Sequence, residues 1–280
     1  MTGIAARPGH ALLRCPVCRL PLEPVGHALA CAGGHSHDLA RAGYVNLLSG
    51  SSRRPSEGGD GKDQVDRRAA FLEAGHFDLI ADAMLSRLPA AAGAVLEAGA
   101  GTGYHLQRVV AGLPAGSRGL GLDLSKAAVH FAARRYPGLA FAVADLWREW
   151  PVRSGEVDVV INLFAPKNFA EAARVLRPDG VLACAYPGPE HLTELRREFG
   201  LMGIAEGKTD EYRRAADGVF RAVRLERIGA TIELDPADVG NAMLMGPNAG
   251  RLAGRAIAVG EAATRVTRDI ELLFAAGPRR

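Results

Sequence analysis

The sequence predicts an α/β fold, in which helices cover both faces of a mostly parallel sheet, preceded by a small metal-binding module. Three observations predict it. Short apolar runs of strand length alternate with helical stretches over residues 94–186. A glycine-rich turn at residues 99–103 directly follows the first of these runs. Three of the four cysteines crowd into the first 31 residues, well ahead of the alternating pattern.

Composition narrows the class of protein before any motif is considered. The chain has 280 residues, of which 48% are hydrophobic and 23% charged, so it is neither disordered nor disulfide-dense. The net charge of +3, taken over the whole chain, gives no reason to expect a nucleic-acid partner. No apolar run approaches the ~18 residues of a spanning helix, and the N-terminus lacks the apolar core of a signal peptide. We therefore expect a cytoplasmic protein with no membrane partner.

The cysteine cluster is the first chemical signal along the chain. Cys15, Cys18, Cys31 and His35 form the pattern C-x2-C-x12-C-x3-H. Zinc takes four nitrogen or sulfur ligands in a tetrahedron, and a C-x2-C turn presents two thiolates together. His37 competes with His35 for the fourth position. The alternatives are a disulfide or plain buried thiols, but three cysteines cannot all pair and a cytosolic setting disfavours disulfides. The spacing thus predicts Zn²⁺ bound by these four residues.

The domain organisation follows from this cluster and from the composition behind it. Residues 1–48 are predicted to form the zinc-binding module, residues 49–64 a flexible linker rich in Gly, Ser, Arg and Asp, and residues 65–280 the larger domain. So small a module has little core, so the metal would supply much of its folding free energy. Residues 1–56 hold six arginines and two acids, which suits phosphate contact. A solvated surface stripe is the alternative.

The turn at residues 99–103 and two later acids define a predicted ligand site. The segment 97–103 reads E-x-G-x-G-x-G, whereas a nicotinamide fingerprint would need glycine at Tyr104. Asp123 ends the second predicted strand and Asp145 the third. Ligands of such sheets bind at the carboxyl ends of the strands, where an acid about 20 residues after the turn contacts a ribose. The alternative is that both acids cap helices or turns.

The E-x-G-x-G-x-G segment resembles motif I of the class I S-adenosylmethionine (SAM) methyltransferases. The resemblance implies a Rossmann-like seven-stranded sheet, completed by antiparallel strands at residues 219–233 and 266–274. It also implies that SAM is the cofactor, with Asp123 on its ribose and Asp145 at its adenine. The cofactor-binding residues predicted on this basis lie at the strand ends and the glycine turn: Glu97, Gly99, Gly101, Thr102, Gly103, Tyr104, His105, Asp123, Leu124, Asp145, Leu146 and Asn162.

The end of the fourth predicted strand supplies the candidate catalytic residues. In this fold the following loop faces the transferred methyl group. Phe164 suits stacking on a planar base, Asn162 a hydrogen bond to a base edge, and Pro166 a stiff loop. The alternative is that Phe164 is a core residue and Asn162 a strand-end cap.

Landmarks along nearly the whole chain resemble the 23S rRNA guanine-N1 methyltransferases of the RlmA/TlrB type. After the C-P-x-C…C-x3-H finger come G-Y-V-N-L-L at residues 43–48 and R-x-x-F-L-x-x-G-H-F at 68–77. N-x-F-A-P-K-N at 162–168, H-L-x-E-L at 191–195 and M-G-P at 245–247 follow in the same order. Glu97 stands where the family usually has Asp, and His37 where it commonly has an aromatic residue.

This resemblance implies a substrate and an activity. The zinc module would be an RNA-recognition module, and the partner a hairpin of 23S rRNA. The reaction would be N1-methylation of a guanine in hairpin 35, at position 748 in preference to position 745, with macrolide resistance as its consequence. The resemblance also makes a homodimer plausible.

Two questions stay open at the level of the sequence. The proton on guanine N1 must be lost, and His76, His105 and Glu73 are candidate bases without a clear preference. A small-molecule methyltransferase on the same scaffold is the alternative function, although a small substrate gives no reason to retain the finger. The intact glycines and strand-end acids argue against a non-catalytic zinc adaptor.

Overall fold

The computed structural model describes residues 5–48, 59–252 and 259–279. Most of the predicted linker, including Arg53 and Arg54, therefore lies outside the described residues. The strands are β1 (Glu23–Val25), β2 (Ala28–Ala30), β3 (Ser36–Asp38), β4 (Val45–Asn46), β5 (Ala94–Ala98), β6 (Arg118–Asp123), β7 (Ala140–Val143), β8 (Val157–Leu163), β9 (Leu176–Pro187), β10 (Phe220–Leu234) and β11 (Thr264–Pro278). The helices are α1 (Lys62–Glu73), α2 (Asp78–Leu85), α3 (Tyr104–Ala111), α4 (Lys126–Arg135), α5 (Phe169–Val175), α6 (Thr193–Phe199), α7 (Lys208–Asp217), α8 (Pro236–Leu244) and α9 (Asn248–Leu252).

The large sheet has the order β10-β11-β9-β8-β5-β6-β7-β4. Strands β4 to β9 pair in parallel, while β11 runs antiparallel between β9 and β10. The class I methyltransferase fold is thereby confirmed, including its antiparallel end. One feature was not expected: an eighth strand, β4, is contributed by the N-terminal module and pairs with β7. The strand order reverses at β5, which places a ligand crevice at the carboxyl ends of β5 and its neighbours.

The central strands form because their residues are apolar on both faces. Every residue of β5 and β7 is buried, as expected for parallel strands covered by helices on both sides. Side-chain caps begin the helices that follow β6 and β8. The Ser125 hydroxyl accepts a hydrogen bond from the Ala128 amide (3.1 Å) at α4, and Asn168 accepts one from Glu171 (3.2 Å) at α5.

The N-terminal module packs directly onto the sheet. It contains a 3₁₀ turn (Pro8–Leu12) and an antiparallel three-stranded sheet, β1-β2-β3. Leu13, Leu22 and Val45 share one hydrophobic cluster with Leu120 and Ala142 of the large sheet. The core that the module lacks by itself is therefore supplied by the methyltransferase domain.

Arg7 ties the module to the sheet through backbone carbonyls. Its guanidinium donates to the carbonyl oxygens of Leu139 (2.7 Å), Ala133 (2.9 Å) and Ala42 (2.7 Å). Helix α1 begins at Lys62, within the segment 49–64 that was predicted as a linker. In the described parts of the chain, no helix combines the length and apolar character needed to cross a bilayer.

Candidate active site and metal centre

The four predicted zinc ligands converge. One ligand atom from each of Cys15, Cys18, Cys31 and His35 lies within 4.8 Å of every other. The sulfurs of Cys18 and Cys31 are 3.4 Å apart, and the Cys31 sulfur is 3.5 Å from His35 Nδ1. Three thiolates and one imidazole at these separations fit a tetrahedral Zn²⁺ site of the closed, structural type. His37 lies outside this group, although its Nε2 is 3.8 Å from the Cys15 sulfur.

The arginines of the module are less available to RNA than their number suggested. Arg7 is engaged with backbone carbonyls, and Arg14 and Arg19 both pair with Glu149 of the larger domain. Arg41 is exposed. Of the four arginines in the described part of the module, Arg7 and Arg14 are therefore engaged in holding the domains together, whereas Arg19, whose side chain is 68% exposed, and Arg41 stay accessible.

A cavity of about 970 Å³ opens at the carboxyl ends of the central strands. One wall consists of the glycine turn and the strand-end acids. The opposite wall comes from α1, the segment around α6, and the connection between α8 and α9. Most of the predicted cofactor residues line the cavity. Its other described lining residues include Asp60, Gln64, Arg68, Phe77, Trp147, His191, Arg196, Lys208, Met245 and Pro247.

The glycine turn has a geometry that only glycine permits at residue 99. Gly99 has φ +87°, and a Cβ placed there would lie 2.2 Å from the Cβ of Ala165. Two acids hold the turn and the start of α3 through backbone amides. Asp123 Oδ2 accepts from the Gly101 amide (2.8 Å), and Glu97 Oε2 accepts from the Leu106 amide (3.0 Å). Burial raises the pKa of Glu97 well above its ordinary value.

The two strand-end acids line the cavity, and their carboxylates accept hydrogen bonds from backbone amides two residues further on. Asp123 Oδ1 also accepts from the Ser125 amide (2.8 Å), and Asp145 Oδ1 accepts from the Trp147 amide (3.0 Å). Burial raises the pKa of Asp123. Both acids line the cavity on adjacent strands, as the SAM-binding prediction requires.

Two buried polar atoms in this wall have no hydrogen-bond partner among the described residues: Thr102 Oγ1 and His105 Nδ1. Burial lowers the pKa of His105 to about 4, so its ring is neutral near pH 7. Both residues line the cavity. Unpartnered buried polar groups beside a glycine turn fit a polar cofactor, because a ligand would satisfy them.

The structure separates the predicted site residues into two groups. Ten of the twelve predicted cofactor residues line the cavity, and so do Phe164 and Pro166. Gly103, the residue before α3, does not: it packs against the core, where a Cβ placed on it would lie 2.9 Å from the Phe141 ring. Asn162 does not either. Its buried amide donates to the carbonyl oxygens of Ala98 and Pro166, each at 2.9 Å. Asn162 therefore ties the end of β5 to the loop after β8, while its buried Oδ1 has no hydrogen-bond partner among the described residues.

An aromatic cluster lines the cavity at the loop after β8. Phe164 is 41% exposed and has φ +52°, which sets it apart from the buried core that was the alternative. Its ring stacks on Phe77 (centroids 5.5 Å, 26° between planes) and faces His191 (6.3 Å, 28°). Sequence reasoning did not assign Phe77 or His191 to the site. Both lie inside the landmarks at residues 68–77 and 191–195, which were used only as marks of resemblance.

Known proteins match this arrangement over both domains. A family described as "RlmA, N-terminal" matches residues 13–54, and a family described as "Methyltransferase domain" matches residues 95–180. The 23S rRNA (guanine(748)-N(1))-methyltransferase of Streptomyces fradiae is 40% identical over 242 residues, covering 84% of this chain and 85% of that protein. The chain belongs to the RlmA-type 23S rRNA guanine-N1 methyltransferase family.

Two further relatives carry names that assign them provisionally to the 23S rRNA (guanine-N(1)-)-methyltransferases. One, from Micromonospora griseorubida, is 38% identical over 291 residues, covering 93% of this chain and 95% of its own. The other, from Bacillus subtilis, is 34% identical over 197 residues, covering 67% and 68%. Membership of the RlmA-type family makes this chain a SAM-dependent methyltransferase with a zinc ribbon, whose Cys₃His site is the cluster at residues 15–35.

The structure also shows which candidate bases of this RlmA-type enzyme lie at the cavity. His76 Nε2 lies 2.6 Å from Asp238 Oδ2, and Glu73 pairs with Arg135 at 3.2 Å. Neither lines the cavity, whereas His105 does. The geometry therefore removes the first two from contact with a substrate in the cavity.

Proposed function

We propose that this chain transfers the methyl group of SAM to N1 of a guanine in 23S rRNA. One contact carries the proposal. The turn at Gly99, on the cofactor wall, packs against Ala165 so closely that no side chain fits between them. Ala165 follows Phe164, so an aromatic platform for a base adjoins the turn that would hold the methionine part of SAM. Donor and acceptor are thereby brought to one point.

The residues of the cavity have separate tasks in this reaction. Asp123 and Asp145 bind the adenosine, while Thr102 and His105 offer their unpartnered polar atoms to the cofactor. Bound SAM supplies a methyl group activated by its sulfonium charge. Phe164 orients the base by stacking, which contributes ~1–3 kcal/mol per base in single-strand complexes.

The remaining tasks concern space and position. Pockets for drug-sized ligands measure about 300–1,000 Å³, so a cavity of about 970 Å³ has room for the cofactor and an inserted base. The base must leave its stack to enter, which costs least in a hairpin loop. Asn162 keeps the loop of Phe164 in register with β5 through its two hydrogen bonds.

The finer target is guanine 748 in hairpin 35, with macrolide resistance as the biological consequence. The 40% identity to a relative named for position 748 supports this choice. The hairpin would contact the zinc ribbon as well as the mouth of the cavity, where Arg196 and Lys208 add positive charge. A homodimer and a cytoplasmic location stay predictions of the family resemblance.

Primer extension on 23S rRNA tests the function. A methyl group on N1 blocks the Watson–Crick edge of guanine, so reverse transcriptase stops one nucleotide before it. We expect purified protein with SAM to produce a new stop in hairpin 35. A transcript in which the guanine at 748 is replaced by adenine serves as the matched control and should show none. A stop at 745 would correct the position. Absence of any stop, together with methylation of a small molecule, would overturn the proposal.

A further inference from the structure

His191 is held in one orientation by the backbone around it. Its Nδ1 accepts a hydrogen bond from the backbone amide of Asp269 (3.3 Å), and its own amide donates to Gly188 (3.0 Å). The carboxylate of Asp269 is fixed in turn by Arg227 (2.5 Å to each oxygen) and by the Glu190 amide (2.9 Å). The imidazole is thus supported before any substrate arrives.

This hydrogen bond determines which ring nitrogen carries the proton. A backbone amide can only donate, so Nδ1 is the acceptor and the neutral ring bears its hydrogen on Nε2. Among the described residues, Nε2 has no hydrogen-bond partner, although His191 lines the cavity. His191 therefore presents an N–H donor to the cavity and cannot take up a proton there as a base in this state.

Burial keeps the ring neutral, because it lowers the pKa of His191 to about 4. The groups that face it are Asp269 and Arg268 on β11 and Arg196 on α6, and the two arginines oppose the carboxylate. At the pH of a cell His191 is accordingly a neutral, fixed hydrogen-bond donor.

Guanine N1 chemistry requires a donor of this kind. When N1 loses its proton to water, negative charge spreads onto O6. N1 then forms a bond to the methyl carbon, the sulfur–carbon bond breaks with its electron pair staying on sulfur, and O6 returns to a neutral carbonyl. A donor directed at O6 stabilises the charge that develops in the transition state.

We propose that His191 Nε2–H donates a hydrogen bond to O6 of the guanine stacked on Phe164, and thereby promotes loss of the N1 proton. The ring centroids of His191 and Phe164 are 6.3 Å apart, with 28° between the ring planes, so a base on Phe164 comes within reach of His191. The same contact selects guanine over adenine, because adenine carries an amino group at this position, a donor facing a donor. This inference rests on the proposed function.

Replacing His191 by Asn or by Gln distinguishes its role as an Nε2–H donor from a role in packing. The amide nitrogen of Gln can occupy the position of histidine Nε2, whereas that of Asn reaches only the position of Nδ1. We expect His191→Asn to lower kcat by about 10²-fold, the usual cost of removing one such donor, with little change in KM for RNA. His191→Gln should recover most of this loss. His130→Asn, at an exposed position on α4, is the matched control.

The pH profile provides a second readout that a merely structural role would not move. The deficit of His191→Asn should shrink as the pH approaches the pKa of guanine N1, because the base then arrives already ionised. SAM affinity, measured by calorimetry, should be unchanged in both variants.

The outcomes are distinguishable. If the wild-type protein methylates no guanine in hairpin 35, the proposed function fails first. If it does, and His191→Asn keeps its kcat or the Gln and Asn variants lose equal activity at every pH, the inference about His191 is overturned.

Discussion

The zinc centre is formed within one short segment of the chain, whereas the cofactor cleft is assembled from segments far apart in the sequence. The four zinc ligands come from one short segment, residues 15–35, and their ligand atoms lie within 4.8 Å of one another. The cleft draws its walls from residues 59–250 and depends on the order of the parallel strands. A site formed within one hairpin can be recognised from spacing alone. A site distributed over a sheet can be recognised only where strands end.

The two centres are nevertheless mechanically joined. β4 extends the large sheet beside β7, whose carboxyl end leads to Asp145 on one side of the cleft, and the Leu47 amide donates to the Val143 carbonyl at that end (3.0 Å). Arg7 holds the module at the opposite end of β7, through the Leu139 carbonyl. Disturbing the metal should therefore be felt at the cleft, while disturbing the cleft should leave the metal in place.

The largest effect is expected at the metal. His35→Ala should abolish zinc binding, measured as metal per chain by mass spectrometry, whereas His37→Ala should retain it. Structural zinc contributes about 10–16 kcal/mol in isolated finger peptides, so its loss should unfold the ribbon. Because the ribbon shares a hydrophobic cluster with the large sheet, we expect the melting temperature of the whole protein to fall by about 10 °C or more.

Retention of zinc by His35→Ala and its loss from His37→Ala would reverse the ligand assignment. An unchanged melting temperature after complete loss of zinc would instead contradict the mechanical link between the two centres.

At the cleft, the largest effect is expected at Asp123. Its carboxylate accepts hydrogen bonds from the Gly101 and Ser125 amides and lines the cavity, so Asp123→Ala should remove the proposed ribose contact and release the turn together. Hydrogen bonds to charged groups contribute about 1.5–3 kcal/mol, so SAM should bind about 10²-fold more weakly by calorimetry. Zinc content should stay at one per chain. Asp179→Ala, an exposed acid, is the control, and unchanged SAM affinity in Asp123→Ala would refute the ribose assignment.

Sequence reasoning succeeded on one wall of the cleft and not on the other. Asp123 and Asp145 were found because parallel strands end at a common edge. Phe77 and His191 belong to segments far apart in the chain, and only the antiparallel return of β11 and the packing of α1 bring them to Phe164. Neither local spacing nor periodicity in the sequence predicts these contacts with Phe164.

Two further differences have the same origin. Val45–Asn46 is too short to be recognised as an edge strand, and it forms one because β7 offers unpaired backbone groups. Asn162 has the residue type of a base-binding group, yet its amide is used by two carbonyls that only the folded chain brings near. Residue type predicted the chemistry available, and tertiary contacts decided how it is used.

A smaller effect is expected where the two walls meet. Gly99→Ala would bring its Cβ to 2.2 Å from that of Ala165, at a backbone conformation already unfavourable for alanine. Overpacking of this kind costs about 1–3 kcal/mol. We expect SAM affinity and kcat each to fall by about tenfold, because the turn and the Phe164 loop are pushed apart. Gly116→Ala has a similar φ, +90°, but open space around it, so it shares the backbone strain without the clash. Equal losses in the two variants would show that the close approach to Ala165 is unimportant.

The smallest effect is expected at Arg68 of α1, on the wall opposite the glycine turn, which we call the outer wall. Its guanidinium bridges Asp60 and the backbone carbonyl of Met245, which closes α1 over the cleft against the segment after α8. Lysine keeps the charge but cannot bridge two acceptors with a planar fork. We expect Arg68→Lys to raise KM for SAM about three- to tenfold, with kcat and zinc content unchanged. Arg67→Lys is the matched control, because Arg67 pairs only with Asp63 among the described residues, on the outer face of the same helix. If both variants bind SAM like the wild type, the outer wall does not hold the cofactor and serves the RNA side alone, which would sharpen the division between the two walls.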